Sequence, residues 1–126
     1  MTSPSTMQIE QGEIYWIPLT GSGSVQNGRR PCIVMSRGSV NRSGNTVVVV
    51  PMSSKTGKAN PYYRILLPAG EIIKDPSSSS EIKDSIAMCD HLRVVDKSQL
   101  EARIGKLTYS AIIAVELGIA FVFDIR

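Results

Sequence analysis

The segment Gly28-Arg29-Arg30-Pro31 combines side chains suited to phosphate chemistry with a residue that starts a strand. Proline fixes its own φ angle and has no backbone N–H to donate, so Pro31 is expected at the first residue of a strand. The apolar run 32–35 follows it. Arg29 and Arg30 would therefore lie at the rim of a rigid element, where a planar guanidinium can bind phosphate oxygens with two hydrogen bonds. The alternative is a solvated loop end that happens to be basic.

The distribution of charge along the chain favours a polyanionic partner. The 126 residues include 14 lysines and arginines and 11 aspartates and glutamates, so the net charge is only +3. All the acidic residues lie outside the stretch from residue 14 to residue 70, and this stretch carries seven basic residues. If it forms one face of the molecule, that face is positive and suits nucleic acid. The seven are Arg29, Arg30, Arg37, Arg42, Lys55, Lys58 and Arg64.

Cysteine usage and hydropathy exclude several other classes of protein. Cys32 and Cys89 lie in apolar runs without metal-ligand spacing, and the chain has one histidine, so no metal site is predicted. Both cysteines are expected to be reduced core residues of a cytoplasmic protein, a buried disulfide being the alternative. The N-terminal residues lack the apolar core of a signal peptide, and Glu116 interrupts the longest apolar stretch, so no membrane span is predicted.

Short runs of β-forming residues, separated by Gly, Pro and Ser turns, predict a mainly β, α+β fold built as a small, partly open β-barrel. The valine run 46–50 is typical of a strand buried on both faces, and Pro51 is expected to end or bulge it. Residues 90–95 either continue the preceding strand or bend away from it. The other predicted strands cover 12–19, 31–36, 62–67, 85–89 and 101–107, with a turn over 38–45 and loops over 20–28, 53–60 and 75–80.

The last element is predicted to be a helix that begins near Ser110, with Thr108 as its N-cap. Residues 111–123 are apolar nearly all round, and such a helix is buried either in its own core or against a second subunit. In a mainly β chain of this size we favour a subunit interface. A strand over 119–125 is the alternative for the last part. Residues 1–8 are expected to form a flexible tail, and 9–126 a single domain.

Several segments occur in the order and spacing of one known protein family. They read Gly-Glu-Ile-Tyr-Trp at 12–16, Gly-Arg-Arg-Pro-Cys-Ile-Val at 28–34, Val-Val-Pro-Met-Ser-Ser at 49–54, Asp-Ser-Ile-Ala-Met-Cys-Asp at 84–90, Leu-Arg-Val-Val-Asp-Lys at 92–97, and the segment 100–107. On these motifs the chain resembles toxins of the MazF/PemK type. The resemblance implies the toxin of a toxin–antitoxin system, a homodimer with an SH3-like barrel of the CcdB/PemK type and a C-terminal helix.

The resemblance also implies an activity, because the family contains sequence-specific endoribonucleases that cut single-stranded mRNA without a metal or other cofactor. In that reaction the 2′-hydroxyl of the RNA attacks the adjacent phosphate and leaves a 2′,3′-cyclic phosphate and a 5′-hydroxyl. The implied partners are single-stranded mRNA and an acidic, partly disordered antitoxin. CcdB, a gyrase poison, shares the fold, so a non-enzymatic toxin that binds DNA gyrase is the alternative.

The site residues follow from the same resemblance. Arg30, directly before Pro31, matches the family's catalytic arginine, and its guanidinium suits the charge that develops on the phosphorane. Ser53 stands where the family commonly has a catalytic threonine, a departure that keeps a hydroxyl. Asp90 matches an acidic position implicated in catalysis or RNA contact, and Asp90 or His91 are the candidates for moving protons. The residues predicted to bind RNA are Asn27, Arg29, Lys55, Lys58 and His91.

Each assignment has a structural alternative that the sequence leaves open. Arg30 could form a surface ion pair, Ser53 could belong to a turn, and His91 could be a satisfied structural histidine. Asp90 could pair with Arg93 or a neighbouring arginine. Specificity for an RNA sequence is expected in loops 20–28 and 54–60. The aromatic side chains that could either stack on bases or fill the core are Trp16, Tyr62 and Tyr63.

Overall fold

Most of the chain folds into short antiparallel strands. A computed structural model describes residues 8–126, and within this range eight strands and two α-helices follow one another. The tail predicted over residues 1–8 therefore lies outside the described residues, apart from residue 8. The elements are β1 (Glu13–Leu19), β2 (Gly28–Val34), α1 (Gly38–Ser43), β3 (Thr46–Ser53), β4 (Arg64–Leu67), β5 (Ile72–Lys74), β6 (Ser85–Met88), β7 (Arg93–Asp96), β8 (Arg103–Leu107) and α2 (Tyr109–Val122).

The strands form one curled antiparallel sheet in the order β4-β6-β3-β2-β1-β8-β5, and β7 also pairs with β3. The long strand β3 changes neighbours along its length, because residues 46–49 pair with β7 whereas Met52 and Ser53 pair with β6. A 3-10 turn, Cys89–His91, redirects the chain from β6 to β7. Residues 90–95 thus bend away from the preceding strand. The curled sheet confirms the predicted small, partly open barrel.

Each face of the sheet carries its own hydrophobic core. Ile14 of β1 belongs to the cluster that α2 covers, and Trp16 packs against that cluster. The intervening residues Tyr15, Ile17 and Leu19 belong to a second cluster on the opposite face. Successive side chains of a strand point to opposite faces of the sheet, so the alternation in β1 distributes its residues between two cores.

Helix α2 begins and ends close to where the sequence predicts. The Thr108 hydroxyl accepts a hydrogen bond from the backbone N–H of Ala111 at 3.3 Å, which confirms the predicted N-cap. At the other end the N–H of Phe123 donates to the carbonyl of Ile119 at 3.1 Å. The backbone therefore remains helical to Val122, and the alternative of a strand over 119–125 is wrong.

The two sides of α2 differ in burial. Towards the sheet, Gly118 approaches Cys89 so closely that a β-carbon at this position would lie 2.7 Å from the sulfur. Glycine at 118 therefore allows the helix to pack closely against Cys89, and it does not mark the start of a strand. On the opposite side, apolar residues spaced four apart are open to solvent. These exposed residues, the outer stripe of α2, are Tyr109, Ile113, Leu117 and Phe121, of which Phe121 also stacks on Tyr62 and Tyr63.

Two predicted strand boundaries are wrong at prolines. Strand β2 begins at Gly28 and not at Pro31, so Arg29 and Arg30 belong to the strand and do not precede it. Strand β3 continues through Pro51 to Ser53. Pro51 falls between the part of β3 that pairs with β7 and the part that pairs with β6. Because neither of these two neighbours pairs with Pro51, its missing backbone N–H costs no hydrogen bond on that edge of β3.

Other boundaries shift because local turns compete with the strands. Strand β4 begins at Arg64 and not at residue 62, because Arg64 and Asn60 exchange backbone hydrogen bonds around a tight turn. Strand β8 begins at Arg103, the predicted turn over 38–45 contains helix α1, and the sequence analysis missed β5 altogether. These elements are three to six residues long, too short for a periodic pattern to show.

Gly105 marks a close approach between neighbouring strands. A β-carbon there would lie 2.4 Å from the carbonyl oxygen of Ile73 in β5, and that backbone atom cannot rotate away. We expect Gly105→Ala to lower the free energy of unfolding by about 1–3 kcal/mol, the usual cost of overpacking. Urea denaturation measures this loss. Gly44→Ala, at a position with no heavy atom within 4 Å, is the control, and an equal effect of both changes would contradict the explanation.

Candidate functional site

Arg30 lies on β2 opposite Ile17 of β1, and its side chain is only partly buried. The guanidinium Nε donates to the backbone carbonyl of Asn27 at 3.4 Å. Among the described residues no carboxylate forms an ion pair with Arg30, so the alternative of a surface ion pair is not what the structure contains. Most of the donors of this guanidinium remain available to an anionic ligand.

Ser53 ends β3, the strand next to β2 in the sheet. Its Oγ accepts a hydrogen bond from the backbone N–H of Lys55 at 3.1 Å. A hydroxyl that accepts one bond in this way keeps its own proton to donate. Ser53 therefore takes part in a turn, as the structural alternative states, and can still donate to a ligand.

Two cavities meet at Arg30, Ser53 and Lys55, which line both of them. The first, about 460 Å³, is called the apolar cavity here and is walled mainly by Ile14, Trp16, Met52, Ile72, Ile82 and Ile104. The second, about 340 Å³, is called the cationic cavity and is lined by Arg30, Lys55, Lys58, Arg64 and His91. Five of the seven basic residues of the acid-free stretch line these two cavities, and Arg37 and Arg42 line neither.

Arg29 is held at the edge of the apolar cavity by two partners. Its guanidinium carbon lies 4.4 Å from the centroid of the Trp16 ring, and its Nε lies 2.7 Å from Oε1 of Glu101. Both charged groups are about half exposed, so the ion pair contributes no more than about 1 kcal/mol. Arg29 thus packs against the Trp16 ring at the edge of the apolar cavity.

Asp90 lines neither cavity, and its carboxylate is bound by Arg64. Nε and Nη2 of Arg64 lie 3.3 and 2.9 Å from the two carboxylate oxygens, and this hydrogen bonding raises the pKa of Arg64. The sequence analysis left two partners open for Asp90, namely Arg93 and a neighbouring arginine. The structure shows a neighbouring arginine, Arg64, in this place and not Arg93. His91 lines the cationic cavity with Nε2 3.8 Å from the Asp90 carboxylate. A catalytic role of Asp90 stays a prediction.

The remaining candidates are divided between the site and the rest of the molecule. Asn27 contributes its backbone carbonyl to Arg30, and Lys58 lines the cationic cavity. Tyr62 and Tyr63 stack on Phe121 of α2, with ring centroids 5.1 and 5.9 Å apart, and line neither cavity. Of the aromatic candidates, Trp16 reaches the site.

The sequence analysis missed two groups of site residues. Arg64 belongs to the acid-free stretch, and this was the available signal for its place in the cationic cavity. Residues 80–83, which line the apolar cavity, gave no such signal because a serine-rich, charged segment is typical of an ordinary surface loop.

Arg93 anchors the loop between β1 and β2. Its Nη2 donates to the carbonyl of Thr20 at 2.8 Å and its Nη1 to the carbonyl of Gln26 at 3.3 Å, so one side chain holds both ends of the loop. We expect Arg93→Ala to speed amide hydrogen exchange in residues 20–27 by about tenfold, since charge-assisted hydrogen bonds contribute about 1.5–3 kcal/mol. Mass spectrometry of exchanged peptides measures it. Exchange no faster than in Arg37→Ala, which removes an exposed arginine elsewhere, would contradict this anchoring role.

Both cysteines are buried and free, as the sequence predicts. Burial raises the pKa of each thiol to about 12, so both stay protonated at neutral pH. Within residues 8–126 no three His, Cys, Asp or Glu side chains gather as metal ligands. None of the helices in that range is long and apolar enough to cross a membrane.

Comparison with known proteins identifies the family. The family model described as "PemK-like, MazF-like toxin of type II toxin-antitoxin system" matches residues 10–123. The chain belongs to this toxin family. Among curated relatives, Endoribonuclease MazF of Staphylococcus epidermidis is 27% identical over 109 residues, covering 86% of this chain and 85% of that protein. Endoribonuclease MazF6 of Mycobacterium tuberculosis is 29% identical over 121 residues, covering 94% of this toxin and all of the relative.

Solved structures confirm the fold. MazF from Deinococcus radiodurans has a TM-score of 0.70 at 19% identity and covers 94% of the toxin and 99% of its own chain. The Mycobacterium tuberculosis toxin MazF-mt6 has a TM-score of 0.69 at 19% identity and covers 90% and 98%. At this level of identity the likeness concerns the fold, and it confirms the predicted barrel of the MazF/PemK type.

Proposed function

We propose that this toxin is an endoribonuclease that cuts single-stranded mRNA by attack of the RNA's own 2′-hydroxyl. The observation that carries the proposal is the position of Arg30 and Ser53 where the apolar and cationic cavities meet. A phosphate at this point has a guanidinium and a hydroxyl proton beside it. The names of the curated relatives, endoribonucleases at 27% and 29% identity, support the same reaction.

The cationic cavity supplies the binding energy for the RNA backbone. Lys55, Lys58 and Arg64 surround it together with Arg30, and the Asp90 carboxylate is directed to Arg64. Contacts between such cations and phosphates release counterions, so RNA binding should weaken as the salt concentration rises. These contacts are sequence-independent and serve to place one phosphate at Arg30.

The chemical step needs charge stabilisation and two proton transfers. The 2′-oxygen forms a bond to phosphorus as its proton leaves, and the bond from phosphorus to the 5′-oxygen breaks as that oxygen gains a proton. Arg30 stabilises the charge on the non-bridging oxygens, and the Ser53 hydroxyl donates to one of them. Of the two proton-transfer candidates, His91 lines the cationic cavity and Asp90 does not, which favours His91.

The toxin is proposed to act as a cytoplasmic homodimer that an antitoxin inhibits. The outer stripe of α2 is a row of exposed apolar side chains suited to a second copy of the chain. Solved relatives include an endoribonuclease in complex with its cognate antitoxin from a mycobacterial species and a MazE-MazF complex from Deinococcus radiodurans. An acidic, partly disordered antitoxin segment that binds along the basic residues would compete with RNA.

The test is an RNA digestion followed by mapping of the ends. The purified full-length toxin is incubated with a long single-stranded transcript in EDTA, and the products are sequenced after selective ligation of 5′-hydroxyl ends. Cuts that leave 2′,3′-cyclic phosphate and 5′-hydroxyl ends are expected. Intact RNA, together with inhibited supercoiling by DNA gyrase, would contradict the nuclease and support the gyrase-binding alternative.

Substitutions at Ser53 separate its hydroxyl from its role in the turn. We expect Ser53→Ala to lower kcat by about tenfold or more, since the phosphorane loses one hydrogen-bond donor. Ser53→Thr keeps the hydroxyl and is expected to retain most of the activity. Single-turnover cleavage of a short RNA measures both. Equal activity of the alanine and threonine variants would show that the hydroxyl takes no part in the reaction.

A further inference from the structure

We propose that the apolar cavity is a subsite for the nucleobase beside the scissile phosphate, and that Glu81 and Lys83 select guanine there. This inference rests on the proposed nuclease activity and adds the base that the enzyme recognises. The cavity shares Arg30 and Ser53 with the cationic cavity, so a base inside it leaves its phosphate at the reacting groups.

The walls of the apolar cavity suit a flat aromatic ring. Its volume of about 460 Å³ lies within the range of small-molecule sites, which runs from about 300 to 1,000 Å³. Ile14, Ile72 and Ile104 belong to the hydrophobic core, so this side of the cavity is formed before any ligand binds. Trp16 provides an aromatic side chain, and stacking of a base on such a ring contributes about 1–3 kcal/mol.

The Trp16 ring is fixed before RNA arrives. Its Nε1 donates to Oγ of Ser80 at 3.0 Å, and Arg29 lies over its face at 4.4 Å from the ring centroid. The contact with Ser80 also ties the segment after β5 to β1. A ring held in this way loses little conformational freedom on binding, which raises affinity for a planar ligand.

Residues 75–84, between β5 and β6, form the rim segment of the apolar cavity, and this segment is held at both ends. Asp75 at one end of the rim segment lies 3.2 Å from Nη1 of Arg103, and Oδ1 of Asp84 at the other end accepts from the backbone N–H of Ala69 at 2.8 Å. Glu81 and Lys83, between these anchors, both line the cavity. The exposed part of the lining thus includes one acidic residue and one basic residue two positions apart.

This pair of charges complements the Watson–Crick edge of guanine better than the edges of the other bases. The carboxylate of Glu81 can accept from N1–H and N2–H of guanine while the ammonium of Lys83 donates to O6. Uracil would place its O2 carbonyl against the carboxylate, and adenine and cytosine each offer it one amino group.

Fluorescence tests the subsite without requiring cleavage, because Trp16 is the only tryptophan in the chain. We expect guanosine 3′- or 5′-monophosphate to change Trp16 fluorescence at about tenfold lower concentration than the corresponding adenosine, cytidine and uridine monophosphates, as for a good bidentate contact. Glu81→Gln should remove most of this difference, and Asp124→Asn, an equal change of charge outside both cavities, should preserve it. Equal responses to all four bases would overturn the proposal.

Mapping of cut sites separates failure of the subsite from failure of the nuclease. The unmodified toxin should cut with guanine at one fixed position beside the broken bond, and Glu81→Gln should lower that preference about tenfold while the total rate still depends on Arg30. If the toxin cuts RNA without a guanine at a fixed position, the subsite proposal alone is overturned. The same holds if Glu81→Gln keeps the full preference for guanine. RNA left intact by the unmodified toxin would overturn the proposed function instead.

Discussion

Arg30→Ala is expected to lower kcat for RNA cleavage by about 10²–10³-fold, the loss typical when one donor to a developing oxyanion is removed. The guanidinium lies where the two cavities meet, and its positive charge is placed to stabilise the phosphorane. Stability should change little, because the side chain makes one long hydrogen bond, of 3.4 Å, to the Asn27 carbonyl. Single-turnover kinetics in EDTA provide the measurement.

Two further variants make this result specific to Arg30. Arg37→Ala removes the same charge from an exposed residue outside both cavities and should leave cleavage within about twofold. Arg30→Lys keeps the charge but loses the planar fork, so an intermediate rate is expected. Unchanged cleavage by a folded Arg30→Ala protein would mean that another group stabilises the phosphorane.

Leu117→Asp is expected to raise the dissociation constant of the proposed homodimer by about 30-fold or more. Leu117 is 67% exposed in the middle of the outer stripe of α2, and the change of a hot-spot residue near the centre of an interface costs about 2 kcal/mol or more. The charged side chain would stay solvated in the free chain, so the fold itself should persist. Sedimentation equilibrium over a range of concentrations measures the dissociation.

Ile73→Asp is the matched control for the interface. Ile73 on β5 is 61% exposed and carries the same kind of side chain at a distance in sequence from α2. The Ile73→Asp change should leave the dissociation constant of the dimer within about twofold of the unmodified protein. If Leu117→Asp leaves the dissociation constant unchanged, the interface lies on another surface. The same conclusion follows if Ile73→Asp raises the dissociation constant as much as Leu117→Asp does.

Local signals in the chain were sufficient for much of the fold. The alternation of β1 between two cores, the N-cap at Thr108 and the apolar residues of α2 are short-range features that depend on strand and helix geometry alone. The toxin family also followed from the sequence, because its segments recur in a fixed order. The boundaries near prolines were wrong, since Pro51 is allowed in β3 only by the change of neighbour from β7 to β6.

The candidate site shows the same division between sequence and structure. The amino-acid sequence by itself determined that positive charge concentrates between residues 14 and 70 and that a guanidinium and a hydroxyl stand in the places typical of the family. Only the tertiary structure decided that Arg64 binds Asp90, that His91 lines the cationic cavity, and that residues 80–83 close the apolar cavity. These contacts join residues far apart in the chain, and their distances are set by how the sheet curls, which no local pattern encodes.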